Sequence, residues 1–202
     1  MARILIQFAH PALEKSRVHK QLLRHIPQHP DIYVNDLYER YPDFNIDITR
    51  EQQLLLKYDI IVLQHPFYWY SSPAIIKQWQ DLVLEHGWAY GSQGNALKGK
   101  VLLNAISAGG SFEVYRPEGR NRHTIPEFLY PFEQTARLCH MEYWPPFAIH
   151  GTHRLQEADI SLYALQYEQL LLAMANDRVS PSELATCHYL NDLVPIPSTI
   201  QS

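Results

Sequence analysis

The chain has 202 residues, of which 46% are apolar and 19% charged, and its formal net charge is −4 at pH 7. These values describe one ordinary folded domain with enough apolar surface for a core, not a disordered chain. No basic block is present, which argues against a general nucleic-acid binder, and the apolar runs fall far short of the roughly 18 residues that a membrane crossing needs.

Residues 3–9 form the first predicted strand, a near-continuous apolar run of the kind covered on both faces. With a strand so close to the start, no signal peptide is expected. Val18, Leu22 and Ile26 recur every fourth residue and predict a helix. A second strand follows at 32–37. Thr49-Arg-Glu-Gln52 then matches a capping box, in which paired side chains satisfy the free amides of a first helical turn. The third strand spans 60–65. Ser72-Pro73 supplies a cap and a first-turn proline for a helix carrying Ile75, Trp79 and Val83. The fourth strand spans 101–106, Thr124-Ile-Pro-Glu127 is a second capping box, and the fifth strand lies at about 142–149. Ile160, Ala164, Tyr167, Leu171 and Met174 form a last helical stripe. Residues 180–202 hold three prolines and predict an extended arm beyond a domain of residues 1–179. Alternating strands and helices with short links predict an α/β fold with a parallel sheet, and five strands fit the order 2-1-3-4-5.

In such a sheet, ligands bind beyond the carboxyl ends of the strands, so the loops after strands one, three and four are the candidates. The first, from Ala9 to His19, ends at a helix start, where free amides favour an anion. His10, Ser16, Arg17, Val18 and His19 are its candidate contacts, and Glu14 is expected to face outward; Ser16 also reads simply as a helix cap. Neither G-x-G-x-x-G nor G-x-x-x-x-G-K-[ST] is present, so no Rossmann dinucleotide or ATP site is signalled. The second loop, Pro66, Phe67, Tyr68, Trp69 and Tyr70, places four consecutive aromatics at a strand end. They read either as a platform for a flat ring or as a subunit interface. The third loop contains Ser107, Ala108, Gly109 and Gly110; the glycines permit close backbone approach to a planar ligand, or form a flexible turn. Beyond it, Tyr115, Arg116, Arg120, Arg122 and His123 read as a cover over the site or as solvated charge. No metal site is expected, because His10 and His65 lack partners at ligand spacing. Cys139 reads as a buried filler, and no G-x-S-x-G elbow signals a hydrolase. Two distant cysteines form no disulfide framework, which fits a reducing cytoplasm.

Several words stand in order along residues 3–155: Ala9-His-Pro, Tyr41-Pro-Asp-Phe-Asn-Ile-Asp47, Gln64-His-Pro-Phe-Tyr-Trp-Tyr-Ser71, His86-Gly-Trp-Ala-Tyr-Gly91 and Pro131-Phe-Glu-Gln-Thr-Ala136. In these words the chain resembles the flavodoxin-like NAD(P)H dehydrogenase (quinone) family. Within that family it is similar to the KefF and KefG ancillary proteins of bacterial glutathione-regulated potassium-efflux systems. The resemblance implies a flavodoxin-like fold and a cytoplasmic homodimer that binds FMN, with FAD as the alternative. It implies two-step transfer of a hydride from NAD(P)H through flavin N5 to a quinone, with a potassium-efflux antiporter as a further partner. It sets His10 and Ser16–His19 at the cofactor phosphate, Pro66–Tyr70 and Ser107–Gly110 around the ring, and Tyr115 with His123 as the catalytic pair. Two positions depart from the family pattern: Asn121 stands where a histidine is usual, and His19 where an asparagine is. Trp69, Tyr70, Trp88 and Tyr90 are expected to wall a slot for flat substrates. A regulatory subunit of the antiporter, with little or no redox turnover, is the rival reading.

Overall fold

A computed structural model describes residues 1–194. In chain order the elements are β1 (Ile4–Phe8), α1 (Arg17–Arg24), β2 (Ile32–Asp36), α2 (Leu37–Arg40), α3 (Ile48–Lys57), β3 (Ile60–Pro66) and α4 (Ala74–Val83). They continue with β4 (Val101–Ser107), α5 (Ile125–Phe128), α6 (Tyr130–Leu138), β5 (Glu142–Tyr143), β6 (Phe147–Ile149), α7 (Glu157–Ala175) and α8 (Pro181–Leu184). The strands pair in parallel in the order β2-β1-β3-β4-β5, with β6 also on β4. This is the expected flavodoxin-like order. The single fifth strand of the sequence reading is split into β5 and β6 at Trp144-Pro145-Pro146, because a proline has no amide to give the ladder. Both pieces pair with β4, so the topology is unchanged.

Alternation along the strands feeds two cores. Leu5, Ile61, Leu63, Leu102 and Ile106 face Leu55 of α3, Trp79 and Val83 of α4, and Phe132 of α6. Ile4, Ile6, Phe8, Val62 and Leu103 face Val18 and Leu22 of α1 and the Ile160, Ala164, Tyr167, Leu171, Met174 stripe of α7. Ile26 lies beyond the end of α1. The Thr124–Glu127 capping box forms as expected. Two other starts shift. Asp47, not Thr49, caps α3 by accepting the Arg50 amide at 3.0 Å. Pro73 itself is the residue before α4, and the Ser72 hydroxyl donates to the Pro73 carbonyl instead of capping.

Residues 180–194 are not an extended arm. Ser180 caps α8, and a 3-10 turn, Leu190–Leu193, returns to the body. There Leu190 is fully buried, and the Asn191 carboxamide accepts the Ala148 amide at 2.8 Å and donates to Gln166 at 3.0 Å. Asn191 thus supplies the neighbour that β6 lacks on its outer edge. The rest of the predicted arm lies outside the described residues. Among the described residues no helix is long and apolar enough to cross a membrane.

One carboxylate ties the first half together. Glu51 of α3 is completely buried, and it accepts hydrogen bonds from Gln7 of β1 (2.8 Å), Asn35 of β2 (3.0 Å), Tyr41 (2.7 Å) and Trp79 of α4 (3.0 Å). Arg50 adds an ion pair at 2.5 Å. A buried charge is tolerable only when paired and fully hydrogen-bonded, and removing one member strands the rest. Glu51→Ala is expected to destabilise the fold by about 3 kcal/mol, and Glu51→Gln by less, since the carboxamide keeps the shape and part of the bonding. Urea unfolding midpoints of the three proteins check this ranking.

Candidate functional site

At the carboxyl edge the sheet hydrogen-bonding runs past the strand ends. The Ala9 amide bonds Gln64 O (2.9 Å), Phe67 bonds Ser107 O (2.8 Å) and Ala108 bonds Ile149 O (2.8 Å). These bonds draw together the three predicted loops and a fourth, after β6. Between them is a cavity of about 490 Å³. His10, Ala12, Lys15, Ser16, Arg17 and Val18 line it from the first loop, and Pro66, Phe67 and Tyr68 from the second. Ser107 and Gly109 come from the third, Thr152 and His153 from the fourth. A second hollow of about 200 Å³ shares Phe67 and is lined by Trp69, Tyr70, Gly110, Tyr115, Arg120 and Asn121.

The first loop gathers free amides and positive charge at one end of the cavity. A 3-10 turn, Leu13–Lys15, leads to Ser16, whose hydroxyl caps α1 by accepting the His19 amide at 3.1 Å. The Arg17 and Val18 amides find no acceptor among the described residues, as expected for the first turn of a helix. Lys15 and Arg17 add positive charge, and Arg17 is steadied by Glu157 of α7 at 2.9 Å. Glu14 is exposed and outside the lining, as the sequence required. His10 accepts the Ala12 amide at Nδ1 (3.1 Å), which leaves the proton of its neutral ring on Nε2. Burial lowers the basicity of His10 and favours that neutral form.

The aromatic loop divides its four rings. Phe67 is buried, Tyr68 lines the first cavity with its ring edge-on to His10, and Trp69 and Tyr70 line the second hollow. Trp69 and Tyr70 both have left-handed backbones, at φ 51° and 63°, which side-chain-bearing residues rarely adopt. Tyr70 stacks on Phe128 at 5.0 Å, while Trp69 is 92% exposed. In the third loop the glycines let two rings pack close to the backbone, and neither has a left-handed backbone. A Cβ on Gly109 would lie 2.6 Å from the His153 ring, and one on Gly110 2.9 Å from the Tyr115 ring. The amides of Gly109 and Gly110 also lack an acceptor among the described residues.

Two buried relays stand behind these loops. The Tyr167 hydroxyl donates to Gln64 Oε1 (3.0 Å), and Gln64 Nε2 faces His19 Nδ1 (3.5 Å). His19 Nε2 then meets the Ser107 hydroxyl at 2.9 Å. The first bond fixes which way the Gln64 amide points, so His19 accepts at Nδ1 and donates from Nε2, and the Ser107 hydrogen is free for the cavity. In the second relay Tyr143 donates to Asn104 (2.7 Å), Asn104 donates to His65 Nε2 (3.0 Å), and His65 Nδ1 bonds Pro66 O (3.0 Å). Burial holds His19 well below the usual histidine range and His65 at about 4.

Most predicted site residues therefore meet at the two hollows, and three do not line either one. His19 is fully buried and acts one step behind, through Ser107. Ala108 is buried and contributes main-chain bonds to Ile149 and Thr152. His123 points away, paired with Glu127 at 3.8 Å with most of its side chain exposed. Trp88 and Tyr90 do not wall the slot; they are partly buried against the first core. Phe67 and Tyr115 take that place. Thr152 and His153 were missed, because the loop after the fifth strand carries no unusual composition. Its only signal was its position at the same sheet edge.

Residues 2–171 match the Flavodoxin-like fold family. The chain belongs to the flavodoxin-like NAD(P)H quinone oxidoreductase family. The glutathione-regulated potassium-efflux system ancillary protein KefG of Pectobacterium carotovorum is 43% identical over 169 residues, covering 84% of this chain and 92% of its own. Among solved structures, general stress protein 14 of Treponema denticola, in complex with FMN, is 40% identical with a TM-score of 0.81, covering 85% of this chain and 99% of its own. An NADPH-quinone reductase from P. pentosaceus is 32% identical with a TM-score of 0.75, covering 83% and 96%.

The buried His65 makes stability depend on pH. Its unfolded form titrates near 6.5 and its folded form near 4, so below pH 6.5 the unfolded chain takes the proton first and folding weakens. His65 is expected to remove about 2 kcal/mol of stability between pH 7 and pH 5. Denaturant unfolding at the two pH values checks this, and in His65→Gln the loss should shrink by that amount.

Proposed function

We propose that this chain binds FMN in the larger cavity and works as an NAD(P)H:quinone oxidoreductase. The observation that carries the reading is one continuous cavity. It joins a helix start with free amides and two cations to Gly109, which opens the glycine turn and whose amide is also unspent. The donor set fits a phosphate at one end and a flat polar-edged ring at the other, and the volume falls in the range of small-ligand sites. The FMN complex of the Treponema denticola relative supports the choice of cofactor. FMN supplies, when bound, a ring that takes a hydride from NAD(P)H and passes two electrons on, so that NAD(P)H, a proton and a quinone become NAD(P)⁺ and a hydroquinone.

The protein's part is to bind and orient. Lys15, Arg17 and the Arg17 and Val18 amides hold the phosphate, and His10 and Ser107 offer hydrogens toward the chain between phosphate and ring. The Gly109 and Gly110 amides serve the polar edge of the ring, while Phe67 and Tyr68 exclude water. Burial keeps the Tyr115 hydroxyl protonated well above neutral pH, so it can donate to negative charge that develops at that edge. Asn121 lines the same hollow, where the family pattern has histidine, and His123 takes no part.

Trp69 and Tyr70, strained and turned outward, support a homodimer in which a second copy closes the aromatic hollow. The likeness to KefG supports a further cytoplasmic role, as a regulatory subunit docked on a potassium-efflux antiporter.

The purified protein is expected to take up FMN, quenching its fluorescence, and to oxidise NADPH with added benzoquinone. Arg17→Ala should weaken FMN about fivefold, the upper end for an exposed charge. Tyr115→Phe should lower kcat about tenfold, with FMN uptake kept. A protein that neither binds FMN nor consumes NADPH would falsify the reading. For the antiporter role, Gly110→Val drives a side chain into the Tyr115 ring. Potassium efflux from cells carrying this variant, compared with cells lacking the chain, is expected to stay activated if docking needs no turnover.

A further inference from the structure

We infer that the second hollow selects flat electron acceptors that carry an anionic group, and that Arg120 is the residue that selects them. The inference rests on the oxidoreductase reading and adds the substrate class. Four aromatic rings, Phe67, Trp69, Tyr70 and Tyr115, wall the hollow, and Gly110 adjoins it from the glycine turn. Rings of that kind hold a planar molecule by its faces and do not distinguish charge. The only charged side chain in the lining is Arg120.

Arg120 is also unspent. Arg3, Arg17, Arg50 and Arg137 each face a carboxylate, whereas Arg120 makes no ion pair or side-chain hydrogen bond among the described residues. The carboxylates nearest in sequence are occupied or turned away. Glu113 is held by the Ser111 hydroxyl and drawn by Arg116, and Glu118 is exposed and outside the lining. The guanidinium lies close enough to the Tyr115 hydroxyl to act on it electrostatically, so its charge is felt at the floor of the hollow.

The segment bearing Arg120 is a fixed wall. Gly119 donates to Arg116 O (2.9 Å), Asn121 to Val114 O (3.1 Å) and Arg122 to Gly119 O (3.1 Å). A Cβ at Gly119 would stand 2.2 Å from the Glu113 carbonyl, so this turn sits directly on the preceding main chain. The guanidinium therefore projects from an anchored base beside the rings. Its planar fork suits a sulfonate or carboxylate on an aromatic acceptor.

The test compares 1,2-naphthoquinone with its 4-sulfonate as acceptors for the FMN-loaded protein at saturating NADPH. Arg120→Gln is expected to lower kcat/KM for the sulfonate about three- to fivefold more than for the neutral quinone, chiefly through KM, the range for a solvent-exposed pair. Arg120→Lys should keep part of the preference, because the charge remains while the fork is lost. Raising the salt to about 0.5 M should shrink the preference in the wild-type protein and leave the Arg120→Gln ratio flat, a response that a merely structural role would not give. Equal effects on the two quinones would overturn the inference. So would a rise in the KM for NADPH without one for the sulfonate, which would place the guanidinium on the phosphates of the reductant. If neither quinone is reduced and FMN is not taken up, the oxidoreductase reading fails and takes this one with it. If both are reduced and the ratio ignores Arg120, only this inference falls.

Discussion

A short run of main-chain hydrogen bonds carries the sheet past the last residues of β1, β3 and β4, and the position of every loop at the carboxyl edge depends on it. Ala9 is tied to Gln64, Phe67 to Ser107, and Ala108 to Ile149; Gly151 then returns to Gly110 and Thr152 to Ala108. Beyond these bonds the chains diverge, because each must turn toward a helix on one face or the other. The first amides past the divergence, at Gly109 and Gly110, have no partner in the sheet. The same geometry that ends the ladder thus creates a set of aligned, unspent donors, as the helix start does at Arg17 and Val18. A ligand with acceptors at both ends completes what the sheet leaves unfinished.

The price of holding those loops still is a polar interior. Gln64, His65 and Asn104 are fully buried in central strands where valine or isoleucine would pack more simply. Each bond is worth about 1 kcal/mol net, while an unsatisfied buried group costs about 1–3, so such a set is tolerable only when complete. It is complete in both relays, from Tyr167 to Ser107 and from Tyr143 to Pro66. Both relays end at the carboxyl edge. They fix the Ser107 hydroxyl and the Pro66 carbonyl, both of residues that line the cavity, which a purely apolar core would not do. Low pH attacks this arrangement first, since a second proton on His19 or His65 removes an acceptor that a neighbour is using.

The strands and their order were legible because continuous apolar runs separated by helical stripes admit few arrangements. What the residues alone did not decide were choices that distant contacts make. Asp47 and Thr49 are both good caps two residues apart; Gln52, which the Thr49 box needed, bonds instead to Val83 O and Glu85 of a distant segment, and Glu51 is drawn inward by three elements and Tyr41. His19 belongs to the phosphate-binding segment by sequence, yet the turn of α1 swings it inward to Ser107. His123 lies two residues from Asn121, but the Thr124 cap and Glu127 hold it on the outside. Thr152 and His153 reach the first loop only because α1 and α7 pack on the same face, a pairing sealed by Arg17 and Glu157. No local pattern carries that information.

The two hollows are built by different means, and this bears on how the family varies. The larger cavity, proposed for the cofactor, is lined by the α1 start, Gly109 and the Ser107 hydroxyl locked from behind, with Lys15, Arg17, Phe67 and Tyr68 beside them. The second hollow, proposed for the acceptor, is made mostly of side chains from residues 67–70 and 115–121. The left-handed backbones of Trp69 and Tyr70 cost about 1–3 kcal/mol each, partly offset by Tyr70 stacking on Phe128. Such strain persists where the resulting position of the side chains matters. A substitution at 120 or 121 changes what lies beside the rings without moving an amide of the cofactor cavity. A substitution at 109 or 110 instead displaces His153 or Tyr115, a wall of one hollow or the other. On the proposed reading, acceptor choice could change at 120 or 121 while cofactor binding is kept, whereas Phe67 and the glycine turn serve both hollows.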